Sequence, residues 1–155
     1  IGDAFMCVGG LPLKNRSHPF DVVLSALEIQ KLVKSINDKK VDEGRKPWEM
    51  RVGVHTGDLV AGVVGKKKFA YDIWGDTVNV ASRMEGACEV GKVNISGETY
   101  EKIKDYFECT YRGKVDAKSN GKFDMYFVDR IRKEYSVDSE GLEPNEDFKN
   151  YLARL

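Results

Sequence analysis

Two kinds of hydrophobic spacing alternate along this chain, and that alternation most constrains what it can fold into. Val22, Ala26, Ile29, Val33 and Ile36 recur at helical spacing. The residues after Pro19 therefore read as a helix to about Asn37, with Asp21 in its first turn. Residues 50–55 then alternate like a strand, Thr56, Gly57 and Asp58 turn, and residues 59–64 return. Residues 92–95 read as a further short strand. Ser96 is placed to cap a helix over residues 98–107. Residues 109–114 and 123–128 read as paired strands across the polar loop 116–121. Residues 1–10 look like the turn and second strand of a hairpin, ended by Gly9, Gly10, Leu11 and Pro12. This order predicts a mixed α+β fold with a largely antiparallel sheet. Beyond Arg130 the chain is charged and poor in large apolar residues, and residues 145–155 read as a terminal helix or a frayed tail.

Composition narrows the function classes. A chain of 155 residues is enough for one domain with its own core. Lysine and arginine (25) balance aspartate and glutamate (25), so no global field draws the chain to nucleic acid or an anionic membrane. Its apolar stretches are a few residues long, far short of a membrane span. Cys7, Cys88 and Cys109 are too widely spaced for a zinc cluster or a disulfide framework and suit a reducing, cytoplasmic setting. Residues 62–67 do not make a phosphate-binding P-loop. Two residues rather than four separate Gly62 from Gly65, and Lys67 stands where serine or threonine is needed. The lysines at 66–68 read as a solvated loop or part of a dimer arm.

The chemistry concentrates in residues 69–85. The second half of this run reads as a short helix that Thr77 or Asp76 can cap. Val78, Ala81 and Met84 can turn toward a core. Asn79 and Arg83, four residues apart, project from one face. An amide beside a guanidinium is a donor cluster suited to a phosphate whose charge grows during reaction.

The residues that carry this chemistry resemble the class III nucleotide cyclase catalytic domain. The matching stretches are Ile1-Gly-Asp-Ala-Phe-Met6, Gly10-Leu-Pro12, Arg51-Val-Gly-Val-His-Thr-Gly57, Ala61-Gly-Val-Val-Gly65 and Tyr71-Asp-Ile-Trp-Gly-Asp-Thr-Val-Asn-Val-Ala-Ser-Arg-Met84. The resemblance covers residues 1–128 and leaves 129–155 as a charged C-terminal extension. It implies a ferredoxin-like sandwich working as a head-to-tail dimer, with active sites at the interface. The implied reaction makes a 3′,5′-cyclic nucleotide and pyrophosphate from a nucleoside triphosphate.

Residue by residue, the resemblance implies that Asp3 is the second of two metal-binding aspartates, holding Mg²⁺ or Mn²⁺ as part of a two-ion site. Asn79 would orient the ribose and Arg83 would stabilise the pentavalent phosphorus, both from the chain opposite the one supplying Asp3. Lys118 would hold the terminal phosphates. Asp72 would accept a hydrogen bond from the adenine amino group, with the backbone of Ile73 against the base. A carboxylate only accepts, so it suits the N6 amino group and repels the O6 of guanine. The expectation is therefore an adenylate cyclase acting on ATP, most simply a homodimer with two equivalent sites. Guanylate cyclase, or a cyclase-like regulatory module without turnover, is the alternative. The resemblance also implies that the first metal aspartate, an adenine-reading lysine and a regulatory domain lie upstream of Ile1. On that expectation a chain starting at Ile1 does not turn over alone.

Overall fold

The structure is a computed structural model that describes residues 3–65, 70–117 and 121–155. Its elements are α1 (His18–Asp42), β1 (Val52–Val54), β2 (Val60–Val64), β3 (Ala70–Trp74), α2 (Asp76–Gly86), β4 (Val93–Ser96), α3 (Gly97–Ile103), β5 (Phe107–Asp116), β6 (Lys122–Ile131) and α4 (Glu146–Leu152). Four strands form one sheet in the order β1-β4-β6-β5, and β2 and β3 form a separate antiparallel pair. Within the larger sheet β1 runs parallel to β4, while β4–β6 and β5–β6 are antiparallel. The expected mixed fold with a mostly antiparallel sheet is what forms.

Strand alternation divides the core in two. Val93 and Ile95 of β4 pack with Phe20, Val23, Ala26 and Leu27 of α1 and Ile103 of α3. A second, smaller cluster joins Val80 and Met84 of α2 to Met125 of β6 and Ala117. Between Val93 and Ile95, Asn94 is fully buried on the α2 side, where its Nδ2 donates to the Met84 carbonyl at 2.8 Å. Helices thus cover both faces of a narrow sheet.

Several local expectations change. Residues 4–8, expected as a strand, form no ladder, and Phe5 is 86% exposed. A strand is defined by an inter-strand ladder, and residues 4–8 belong to none of the strands named above. The helix after Ser96 ends at Ile103 rather than 107, and Phe107 opens β5 instead. Ser96 caps that helix as expected, accepting from the Thr99 amide. Residues 70–74 form β3, which periodicity alone did not indicate. The lysine loop at 66–68 and Lys118 lie outside the described residues.

The C-terminal segment is folded. After β6 the chain turns back, with the Ile131 amide donating to the Gly141 carbonyl at 2.8 Å and the Asp138 carboxylate accepting from the Leu142 and Glu143 amides. Asn145 caps α4 by accepting from the Phe148 amide at 3.0 Å. Phe148 is fully buried, its ring edge-on to Phe20 and Phe107 and stacked with Tyr106. Among the described residues no helix is long and apolar enough to cross a membrane.

Candidate functional site

The helix that bears Asn79 and Arg83 is positioned by its neighbours more than by its own cap. Neither Asp76 nor Thr77 is the N-cap; α2 starts after Gly75, whose φ of +131° few L side chains adopt, and no side chain caps it. Asp76 is the first helical residue, where its charge faces the positive end of the helix dipole. The Thr77 hydroxyl instead donates to the Asp58 carbonyl, tying the helix to the turn after β1. Along the helix the buried side chains are Val80 and Met84, not the Val78, Ala81 and Met84 set, because the contact with the sheet rotates the inward face. Gly53 makes that contact close: a Cβ there would fall 2.0 Å from the Glu85 nitrogen and 2.6 Å from the Ala81 carbonyl oxygen. Arg51 adds an ion pair to Glu85 at 2.9 Å. An isolated glycine within an alternating strand signals close backbone approach, so Gly53 was detectable from sequence. The Thr77–Asp58 link was not, since the two residues are 19 apart.

With the buried face fixed, Asn79 and Arg83 lie exposed one helical turn apart. Asp72 sits on β3, opposite Gly62 of β2, also exposed. Its Oδ1 accepts from the Ile73 amide at 2.8 Å, which orients the carboxylate beside the partly buried Ile73. A single residue, Gly75, separates β3 from α2, so Asp72 and the Asn79–Arg83 pair are carried on consecutive elements. Asp3 lies exposed in a turn ahead of α1, and no hydrogen bond or ion pair joins it to α2 among the described residues. A cleft of about 480 Å³ between α1 and the start of β4 holds none of these residues.

A polar network braces the turn that holds Thr77. His55 Nδ1 lies 2.7 Å from Ser96 Oγ and 3.7 Å from Glu98 Oε2, with Phe123 edge-on to its ring. Thr56 and Thr99 hydroxyls meet at 2.9 Å. Burial lowers the His55 pKa from 6.5, against an opposing pull from Glu98, so the neutral ring is favoured. Burial pushes the Cys109 thiol up to about 12, which favours its protonated form.

Two further features bear on ligands and partners. Among the described residues no three histidine, cysteine or acidic side chains gather as a metal cage. Asp3 supplies one exposed carboxylate, which fits the way Mg²⁺ is held by one or two carboxylates together with substrate phosphates. The β2–β3 pair stands off the main sheet and exposes Val60, Val63, Val64 and Trp74, an apolar surface of the kind that marks an interface.

Residues 1–130 match the family model described as the adenylate and guanylate cyclase catalytic domain. An adenylate cyclase from Mycobacterium tuberculosis is 38% identical over 127 residues, 82% of this chain and 28% of that protein. The guanylate cyclase soluble subunit beta-2 of Rattus norvegicus is 41% identical over 129 residues, 83% of this chain and 18% of that protein. The chain thus spans less than a third of either relative. The guanylate cyclase domain of RhGC from Catenaria anguillulae, solved in complex with GTP, is 32% identical with a TM-score of 0.71, covering 81% of this chain and 66% of that one.

Proposed function

We propose that this chain, which belongs to the adenylate and guanylate cyclase catalytic-domain family, is an adenylate cyclase that turns ATP into 3′,5′-cyclic AMP and pyrophosphate. One observation carries the choice of ATP over GTP: position 72 on β3 is an exposed carboxylate oriented by its neighbour's amide. Oδ1 is engaged by the Ile73 amide, and the other oxygen accepts the adenine N6 hydrogen bond. A guanine O6 at the same place would set acceptor against acceptor. Relatives of both kinds are similarly close, so overall identity does not make this distinction.

The ribose 3′-oxygen attacks the α-phosphorus in line. A 3′-O–P bond forms, the bond to the bridging oxygen breaks, and pyrophosphate leaves with the electron pair while the hydroxyl proton is lost. Asn79 donates to the ribose and fixes the attack angle. Arg83 places a permanent charge where the equatorial phosphoryl oxygens become most negative. Lys118 neutralises the terminal phosphates. Asp3 is the residue of this chain that would hold divalent metal, Mg²⁺ or Mn²⁺, which when bound lowers the pKa of the 3′-hydroxyl and screens the triphosphate.

The exposure of Asp3, Asp72, Asn79 and Arg83 supports a site completed by a second cyclase domain. A twofold pairing of identical chains places Asp3 of one against Asn79 and Arg83 of the other, twice. The apolar β2–β3 surface is suited to that contact. The test is turnover by the intact protein with Mn²⁺ and either ATP or GTP. Cyclic AMP is the expected product. Asp72→Cys is expected to lower kcat/KM for ATP relative to GTP by roughly 10–100-fold, the size of one hydrogen bond to a charged acceptor. An unchanged ATP/GTP ratio in that variant refutes the assignment of Asp72.

A further inference from the structure

The last turn of α2, which carries Arg83, ends in carbonyl groups that lack helical donors. The Ala87 amide donates to Arg83 O and the Cys88 amide to Glu85 O. The Met84 carbonyl between them takes its donor from Asn94 of β4, whose Nδ2 lies 2.8 Å away. On the other side of the same amide, Asn94 Oδ1 accepts from Arg112 Nη1 at 3.0 Å, and that nitrogen also donates to the Ala87 carbonyl at 2.8 Å. One guanidinium nitrogen and one amide therefore join the end of α2 to β4 and β5.

Arg112 is built into this place. The register of β5 against β6 slips between Tyr111, opposite Tyr126, and Gly113, opposite Met125, so Arg112 is the extra residue of a bulge. Bulges re-aim a side chain, and this one sends the arginine under the helix. Its guanidinium lies 3.9 Å from the centre of the Phe127 ring, and Nη2 is 3.6 Å from Glu89 Oε1. The side chain is 16% exposed. A charge this far from water is retained at a penalty that packing alone does not require, since an apolar side chain fills such a space as well. What arginine adds is a rigid planar fork that bridges two acceptors, and a positive charge at the negative end of the α2 dipole.

The geometry points to Arg112 as a positioning residue for phosphoryl transfer: through Asn94 and the Met84 and Ala87 carbonyls, it holds the turn of α2 that presents Arg83. This rests on the reading of Arg83 as the group that meets the reacting phosphate. Arg112 touches no substrate. It acts only through Arg83, so its loss changes kcat rather than nucleotide affinity.

The experiment is a double-mutant cycle in the intact protein, with Arg112→Met and Arg83→Ala singly and together, following kcat, KM and amide hydrogen exchange. Arg112→Met is expected to lower kcat roughly 10–100-fold, the effect of a small misplacement remote from the chemistry, with KM for the nucleotide nearly unchanged. In the Arg83→Ala background the same change is expected to add almost nothing, because the group it positions is gone. An equal loss in both backgrounds, or none in the parent, overturns the proposal. If Arg112→Met does not fold, Arg112→Lys, which keeps the charge and loses the fork, enters the cycle with the same expectations. A parent without cyclase activity defeats the functional reading instead. Hydrogen exchange then decides the clamp: faster exchange of the Ala87 and Cys88 amides in Arg112→Met supports it, and unchanged exchange removes it.

Discussion

The aromatic end of this domain and its α2 end are built on opposite principles. At the first, Phe20, Tyr106, Phe107 and Phe148 meet edge-on or stacked around a fully buried Phe148, and the segment that closes them is the chain's own C-terminus. At the second, Asp72, Asn79 and Arg83 point to water, and the adjoining β2–β3 pair leaves valines and a tryptophan exposed. The first region satisfies itself within one chain. The second is held rigid from beneath by Gly53, Thr77 and Asn94 while its outer surface stays open. The packed core and the candidate site residues are thus separated in space.

The largest expected effect breaks the closed end. Phe148→Ala removes a ring from a packed aromatic cluster and is expected to destabilise by about 3–5 kcal/mol. Urea unfolding measures it, and a loss below about 1 kcal/mol would show that residues beyond 130 are not part of the domain core. The open end responds in the reverse sense. Arg83→Ala is expected to lower kcat by about 10²–10³-fold, as when a preorganised charge donor is removed. Its unfolding free energy should stay within about 0.5 kcal/mol of the parent, because the side chain is exposed. A variant that lost stability and activity together would erase the division between the two regions.

The smallest effect is a pH dependence that sharpens the link between them. His55 is buried with its pKa lowered from 6.5, so the folded protein binds its proton less readily than the unfolded chain does. Its contribution to stability is complete above that ordinary value and is lost as pH falls through the lowered one. The thermal midpoint should therefore fall on acidification below about pH 6.5, where an unperturbed imidazole begins to charge. His55→Gln, which keeps a hydrogen-bonding group near Ser96, should flatten that part of the profile. A variant whose profile matches the parent's would exclude His55 as the group responsible.

Much of the architecture was legible because burial leaves a periodic trace. The α1 helix, the strands β1 and β2, the Ser96 cap and the β5–β6 pair all carry local signals that survive folding, but β2 does not return along β1: it pairs with β3 while β1 pairs with β4. The misplaced details share a cause. Thr77 looked like a cap because its nearest acceptor-seeking amides are in its own helix, yet the Asp58 carbonyl reaches its hydroxyl first in three dimensions. Residues 4–8 read as part of a strand, but a local pattern does not by itself build a ladder. Residues 145–155 read equally as a terminal helix or a frayed tail, and the helix forms because its aromatics meet Phe20 and Tyr106 from elsewhere in the chain.

The sequence by itself determined most of the elements, the family and the residue types at positions 3, 72, 79 and 83, because these are properties of spacing and side-chain chemistry. Only the tertiary structure decided which face of α2 is buried, that Asn94 and Arg112 hold its far end, and that the C-terminus closes the core. Those outcomes depend on contacts between residues distant in the chain. Their distances and unmet hydrogen bonds are set by how the layers pack, which no local pattern encodes.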